Sequence, residues 1–202
     1  NTAVGSNALL LNVTGTNNTA VGHDCLEQNT GGNNTGVGFE ALKACTTSGD
    51  NTAVGSHALS TSTTGDYNVA IGNNALDAIT TASYNTGVGY VALTANTTGQ
   101  YNTAVGGQAM DANTTGNYNS GFGLNALGGN TTGTYNTAVG AAALQANTTA
   151  SNNTAVGTDA LIANTTANDN TAVGYKSLNQ NTTGTYNVGV GASALTANTT
   201  AS

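Results

Sequence analysis

Apolar and polar positions along this chain recur with a period of 17. One full unit is Asn102-Thr103-Ala104-Val105-Gly106-Gly107-Gln108-Ala109-Met110-Asp111-Ala112-Asn113-Thr114-Thr115-Gly116-Asn117-Tyr118. An Asn opens each of twelve copies, at positions 1, 18, 34, 51, 68, 85, 102, 119, 136, 153, 170 and 187; the second copy is a residue short, and the last lacks only its final residue. Residues 1–202 therefore form a single repeat array. A fixed period of this length means stacked units, each contacting only its neighbours, in place of one closed core.

Within the unit, position 1 is always Asn, position 3 only Ala or Gly, position 4 Val apart from Ile71 and Phe122, and position 5 always Gly. Thr-Ala-Val at positions 2–4 reads as a short strand. Side chains alternate across a strand, so Val faces one side and Ala the other. The expected core stripe takes Val from position 4 and Leu from position 9: Val4, Leu9, Val54, Leu59, Val105, Met110, Val139 and Leu144. Gly5, Gly55, Gly106 and Gly140 mark a corner that needs φ > 0 or a close backbone approach. Ala-Leu-x-Ala at positions 8–11 reads as a second strand, and Asn-Thr-Thr-Gly at 12–15 as the return turn. A helical pair does not fit, because a 17-residue unit with a Gly corner leaves room for only one or two helical turns. The fold class is all-β, a parallel β-solenoid of 17-residue coils.

Coils stacked as parallel strands rise about 4.8 Å each, making a rod roughly 58 Å long. Equivalent residues then form columns. Tyr67, Tyr84, Tyr101, Tyr118 and Tyr135, at position 17, predict an aromatic stack and a candidate surface contact ladder. A core of one Val, one Leu and a few Ala per coil is thin. The smooth Ala/Gly face at positions 3 and 5 is expected to pack on identical chains as a homo-oligomer.

Charge narrows the function. The chain has two Lys, no Arg and a net charge of −7, too few cations to neutralise a phosphate backbone or dock on anionic lipid. No apolar run reaches the length of a membrane span. All charged residues lie at variable positions and are expected to be solvated, as are His23 and His57. No nucleophile, phosphate-loop or metal-ligand motif is present, and calcium-binding β-rolls need an Asp column that this chain lacks. The expectation is no enzyme, no cofactor and no metal. Cys25 and Cys45 sit at positions 8 and 12 of adjacent copies, about 13 Å apart laterally, and are expected as free thiols. Asn-x-Thr sequons at Asn96, Asn113, Asn130, Asn147, Asn164, Asn181 and Asn198 would be glycan acceptors in a eukaryotic secretory pathway and plain turn sequence elsewhere.

The run Asn68-Val69-Ala70-Ile71-Gly72-Asn73-Asn74-Ala75 resembles the Asn-Ser-Val-Ala-Ile-Gly-x-x-Ala motif of trimeric autotransporter adhesin heads. The whole unit is similar to arrays in phage tail fibres and tail-fibre-like surface proteins. The resemblance implies a left-handed β-roll, a homotrimer, and an extracellular place on a cell-surface appendage or virion tail fibre. It covers every copy, although this unit is longer than the usual head repeat. The function expected is a shaft or head segment that presents a tip for attachment, within a longer protein whose flanking domains cap the array. One alternative is an adhesin head binding a cell-surface glycan or protein through its Tyr or Thr columns. Another is an ice-binding solenoid using the Thr-Thr ladder.

Overall fold

The computed structural model describes residues 1–202 as a solenoid of twelve three-residue strands, from β1 (Thr2–Val4) to β12 (Val188–Val190). The strands form one parallel sheet in chain order. Register is held residue for residue: Thr137 faces Thr154, and Val139 faces Val156. It holds even beside the shortened copy, where Thr19 still faces Thr35. The missing residue is absorbed at the turn Thr30-Gly31-Gly32, away from the sheet.

The strand is inverted relative to the expectation from hydrophobicity. Ala20, Ala53, Ala104 and Ala138 at position 3 are fully buried, whereas Val4, Val54 and Val139 are 58%, 37% and 39% exposed and Val105 is half-buried. Val at position 4 is therefore outside the core. The Ala/Gly face is used up inside each chain and cannot line an axis shared between chains. The reason is room: Leu59, Met110, Leu144 and their equivalents at position 9 fill the narrow interior, leaving space opposite them for a methyl or a hydrogen. Gly87 shows the fit, since a Cβ there would lie 3.1 Å from Leu76 Cγ. Leu9, in the first coil, is only partly buried against the same core.

Positions 8–11 form no second strand. They belong to consecutive turns closed by i+3 to i hydrogen bonds, such as Ala109 N–H to the Gly106 carbonyl (3.3 Å) and Asn113 N–H to the Met110 carbonyl (3.1 Å). Positions 7 and 9 carry positive φ in every complete turn segment, for example Gln108 at 57° and Met110 at 51°, the sign that a type II turn requires at its third residue. Left-handed φ costs a non-glycine residue about 1–3 kcal/mol. Burial of the Leu side chain, about 1.5–3 kcal/mol, offsets it. The turns also stack, since Leu93 N–H donates to the Ala109 carbonyl one coil on (3.0 Å).

Gly at position 5 has φ between 125° and 144° in all twelve coils. A Cβ on Gly106 would meet the Gly123 carbonyl oxygen at 2.4 Å, so stacking and backbone angle both demand glycine. Two columns of asparagine run through the interior. At position 1, Asn119 Oδ1 accepts from the Asn136 backbone N–H (3.0 Å), while Asn119 Nδ2 donates to the Gly133 carbonyl (2.8 Å). At position 12, Asn130 Nδ2 donates to Asn113 Oδ1 (2.8 Å) and to the Gly133 carbonyl (3.1 Å). These amides satisfy the buried backbone groups that so small an apolar core leaves inside.

Candidate functional site

The rod's most distinctive surface is the outward face of its sheet. Position 2, mostly Thr, and position 4, mostly Val, alternate with the inward Ala and so point away from the core. Position 6 at one end of the strand adds exposed Phe39, Tyr90, Leu124 and Tyr175, and position 17 at the other end adds the tyrosines. Every exposed large apolar side chain lies at these four positions except Leu10, Leu11, Val13 and Leu195 in the first and last coils. The strand face alone, about 10 Å wide and 58 Å long, comes to roughly 600 Å². About half of it is the Thr column, and the Val column with the flanking apolar columns brings the apolar area into the range of the largest apolar patch on a typical monomer, about 300–600 Å².

Tyr67, Tyr84, Tyr101, Tyr118 and Tyr135 form a continuous stack, with ring centroids 4.9–5.0 Å apart and planes within 12° of parallel. Each is about half exposed. Neighbours cover both ring faces of the three inner tyrosines, so the column offers ring edges and hydroxyls to solvent. A sugar that stacks on an aromatic face finds one only at the two ends of the column. Tyr186 lies apart, three coils beyond Tyr135.

The charged residues are less scattered than their positions implied. Asp24, Glu40, Lys43, His23 and His57 gather across coils two to four. Lys43 Nζ bridges Asp24 Oδ2 (3.1 Å) and Glu40 Oε1 (2.8 Å), His23 Nδ1 lies 3.3 Å from Asp24 Oδ1, and His57 Nε2 lies 3.3 Å from Glu40 Oε2. Phe39 packs between the two imidazoles, with centroids 5.5 and 5.3 Å away. Asp24 is only 8% exposed, which corrects the expectation of solvated charge there. Hydrogen bonds from Asn7 and Lys43 hold its carboxyl below the usual range. The cluster is a set of paired ions that ties neighbouring coils together, and it forms no set of convergent metal ligands.

The turn threonines split into two kinds. At position 13 the hydroxyl donates to the equivalent carbonyl one coil on, as Thr114 Oγ1 does to Thr131 (3.0 Å). At position 14 the threonines are exposed. Cys25 and Cys45 are free and buried, and burial raises each thiol to about 11.

The outward face was missed because Val was read as core, although one signal marked it. Position 4 accepts Val, Ile71 and Phe122, a range of volumes that a packed interior rejects. Position 3 accepts only Ala and Gly, which is what a tight interior demands. Comparison with family models, with curated proteins and with solved structures finds no match to this chain.

Proposed function

We propose that the chain is a segment of the shaft or head of an extracellular trimeric fibre, in which three copies pack through their strand faces around a common axis. The carrying observation is the concentration of exposed apolar side chains at positions 17, 2, 4 and 6, with no Lys or Arg among them. A patch of that size on a rod of otherwise polar surface calls for a partner. A second copy has the same length and the same register of columns. The flanking columns bring the area toward the 800 Å² per partner of a stable interface. The work of such a segment is mechanical, holding a tip for attachment away from a cell or virion surface. The absence of any pocket on the rod favours extended contact over capture of a small molecule.

The test is molar mass in solution by light scattering, for the chain and for a Val139→Lys/Val156→Lys variant. The chain should give three times its own mass. The variant should give monomers that keep their β-structure, because the new lysines stand outside the core. A parent chain that is monomeric at micromolar concentration sinks the proposal.

A second reading has its own observation. The position 2 threonine hydroxyls, such as those of Thr103, Thr137 and Thr154, make no hydrogen bond within the chain, and with Val they form a flat array spaced about 4.8 Å by 6.7 Å. Such an array suits ice. This reading moves the ice-facing threonines from the turn, where position 13 hydroxyls are already engaged, to the sheet. It requires a monomer, and thermal hysteresis that Thr137→Lys abolishes would establish it.

A further inference from the structure

We infer that this fold and co-translational N-glycosylation exclude one another, so that the chain is built for synthesis where its Asn-x-Thr amides stay unmodified. The argument lies in the position 12 column. Asn96, Asn113, Asn130, Asn147, Asn164 and Asn181 each head an Asn-Thr-Thr sequon, and all six are fully buried. Both hydrogens of the amide are engaged in every one of them except Asn96, which follows Ile79 in the column and donates only to the Gly99 carbonyl (2.9 Å). Asn113 Nδ2 donates to Asn96 Oδ1 (3.0 Å) and to the Gly116 carbonyl (3.1 Å). Asn147 does the same with Asn130 Oδ1 (2.8 Å) and the Ala150 carbonyl (3.1 Å).

Sugar transfer forms a bond from Nδ2 to the sugar's anomeric carbon. It breaks the sugar–phosphate bond of the activated donor, and the phosphate group and the amide proton leave. One of the amide's hydrogen bonds is lost, and the attached sugar must occupy an interior that is filled by the preceding coil, toward which Nδ2 points. The transfer takes place on the chain as it enters the secretory pathway, before folding, so burial in the final structure gives no protection.

The chain carries its own control. Asn17, Asn33 and Asn152, at position 17, also head Asn-x-Thr sequons, but their side chains are exposed. Their amides donate sideways to Asn33 Oδ1, Asp50 Oδ1 and Asp169 Oδ1, each at 3.1 Å, which leaves the second hydrogen toward solvent. A glycan at these sites is compatible with the rod.

The experiment expresses residues 1–202 in a bacterial cytosol and, behind a secretion leader, in a eukaryotic cell. A second chain carries Val for Thr at position 14 wherever position 12 heads a sequon, which removes those sequons and keeps every Asn. Peptide mass spectrometry reads sugar occupancy, and protease resistance reads folding. The bacterial product should be resistant. The secreted parent should carry sugar on at least one of the six buried amides and be digested at least tenfold faster. The secreted variant should carry sugar only at position 17 sites and match the bacterial product. Should that variant fold poorly in bacteria, treating the parent's host with an inhibitor of glycan-donor synthesis must restore resistance. Sugar on any of the six in a resistant chain, an untreated parent secreted folded with those six bare, or no rescue by the inhibitor would overturn the inference.

Discussion

Gly36 packs against Cys25 so closely that a Cβ on Gly36 would stand 2.6 Å from the Cys25 sulfur. Position 8 is Ala in every copy except those with Cys25 and Ser177. The position 3 residue of the next coil is Gly in both cases. Gly189 repeats the arrangement, 2.7 Å from Ser177 Oγ, and that hydroxyl donates to the Gly189 carbonyl at 2.9 Å. Gly121 likewise faces Met110, the one residue at position 9 that is not Leu, with a Cβ-to-Cε distance of 3.4 Å. Volume added in one coil is removed in the next. No such neighbour accounts for Gly87.

The first prediction follows from that pair. Gly36→Ala should lower stability by about 1–3 kcal/mol through overpacking, whereas Cys25→Ala/Gly36→Ala should recover most of the loss. A double-mutant cycle from denaturant midpoints should show coupling of about 0.5–3 kcal/mol. Additive effects would mean that the two residues do not compete for the same space.

Two adjacent glycines should respond oppositely. Gly106→Ala meets a φ of 139° and the next coil's carbonyl at 2.4 Å, and should cost about 3 kcal/mol or more. Gly107→Ala finds its nearest neighbour, Leu124 Cδ1, at 3.5 Å, and should be neutral within about 0.5 kcal/mol. Thermal melts of the two variants side by side check this.

The position 12 column gives a second contrast of sign. Asn113→Ala leaves Asn96 Oδ1 without its donor and one Asn130 Nδ2 hydrogen without its acceptor, while the Gly116 carbonyl still accepts from Asn102. It should destabilise by about 2–4 kcal/mol, since each unpaired buried group costs about 1–3 kcal/mol. In the same column, Ser62 Oγ is buried with no hydrogen-bond partner. Ser62→Ala should therefore raise stability, by about 1 kcal/mol. A loss on Ser62→Ala would show that the hydroxyl has a partner in solution.

The two cysteines tie stability to alkaline pH. Burial raises both thiols to about 11 in the folded chain, against an ordinary value of about 8.5 in an unfolded one. The unfolded state therefore releases these protons first. The contribution is fully present below about pH 8.5 and is lost as pH rises toward 11. Urea midpoints should be flat up to about pH 8.5 and fall above it, and Cys25→Ala/Cys45→Ala should reduce that fall. Neither thiol should react with a disulfide reagent at pH 8 until the chain unfolds.

What the sequence made legible was whatever recurs at a fixed position along the array. The period, the Asn1 column, the Gly5 corner and the Tyr stack each follow from one residue type recurring at one position. Inside and outside were misassigned because a three-residue strand offers two faces, and Val105 is more hydrophobic than Ala104. Interior volume, which hydrophobicity does not report, selects Ala. The turn at positions 8–11 was hidden because left-handed φ is expected of Gly or Asn, and here Leu and Met110 adopt it. The ion cluster was hidden because Asp24 and His57 meet the Lys43–Glu40 pair only across coils and the set occurs once in the array.

The unbroken register from β1 to β12 has a genetic corollary. Away from the compensating pairs and the ion cluster, each coil offers the next the same strand register, so one 51-nucleotide segment can be gained or lost there with the strand pairing unchanged. Each such event shifts reach by about 4.8 Å. The rod's length is graduated in single coils, which unequal recombination can add or remove one at a time.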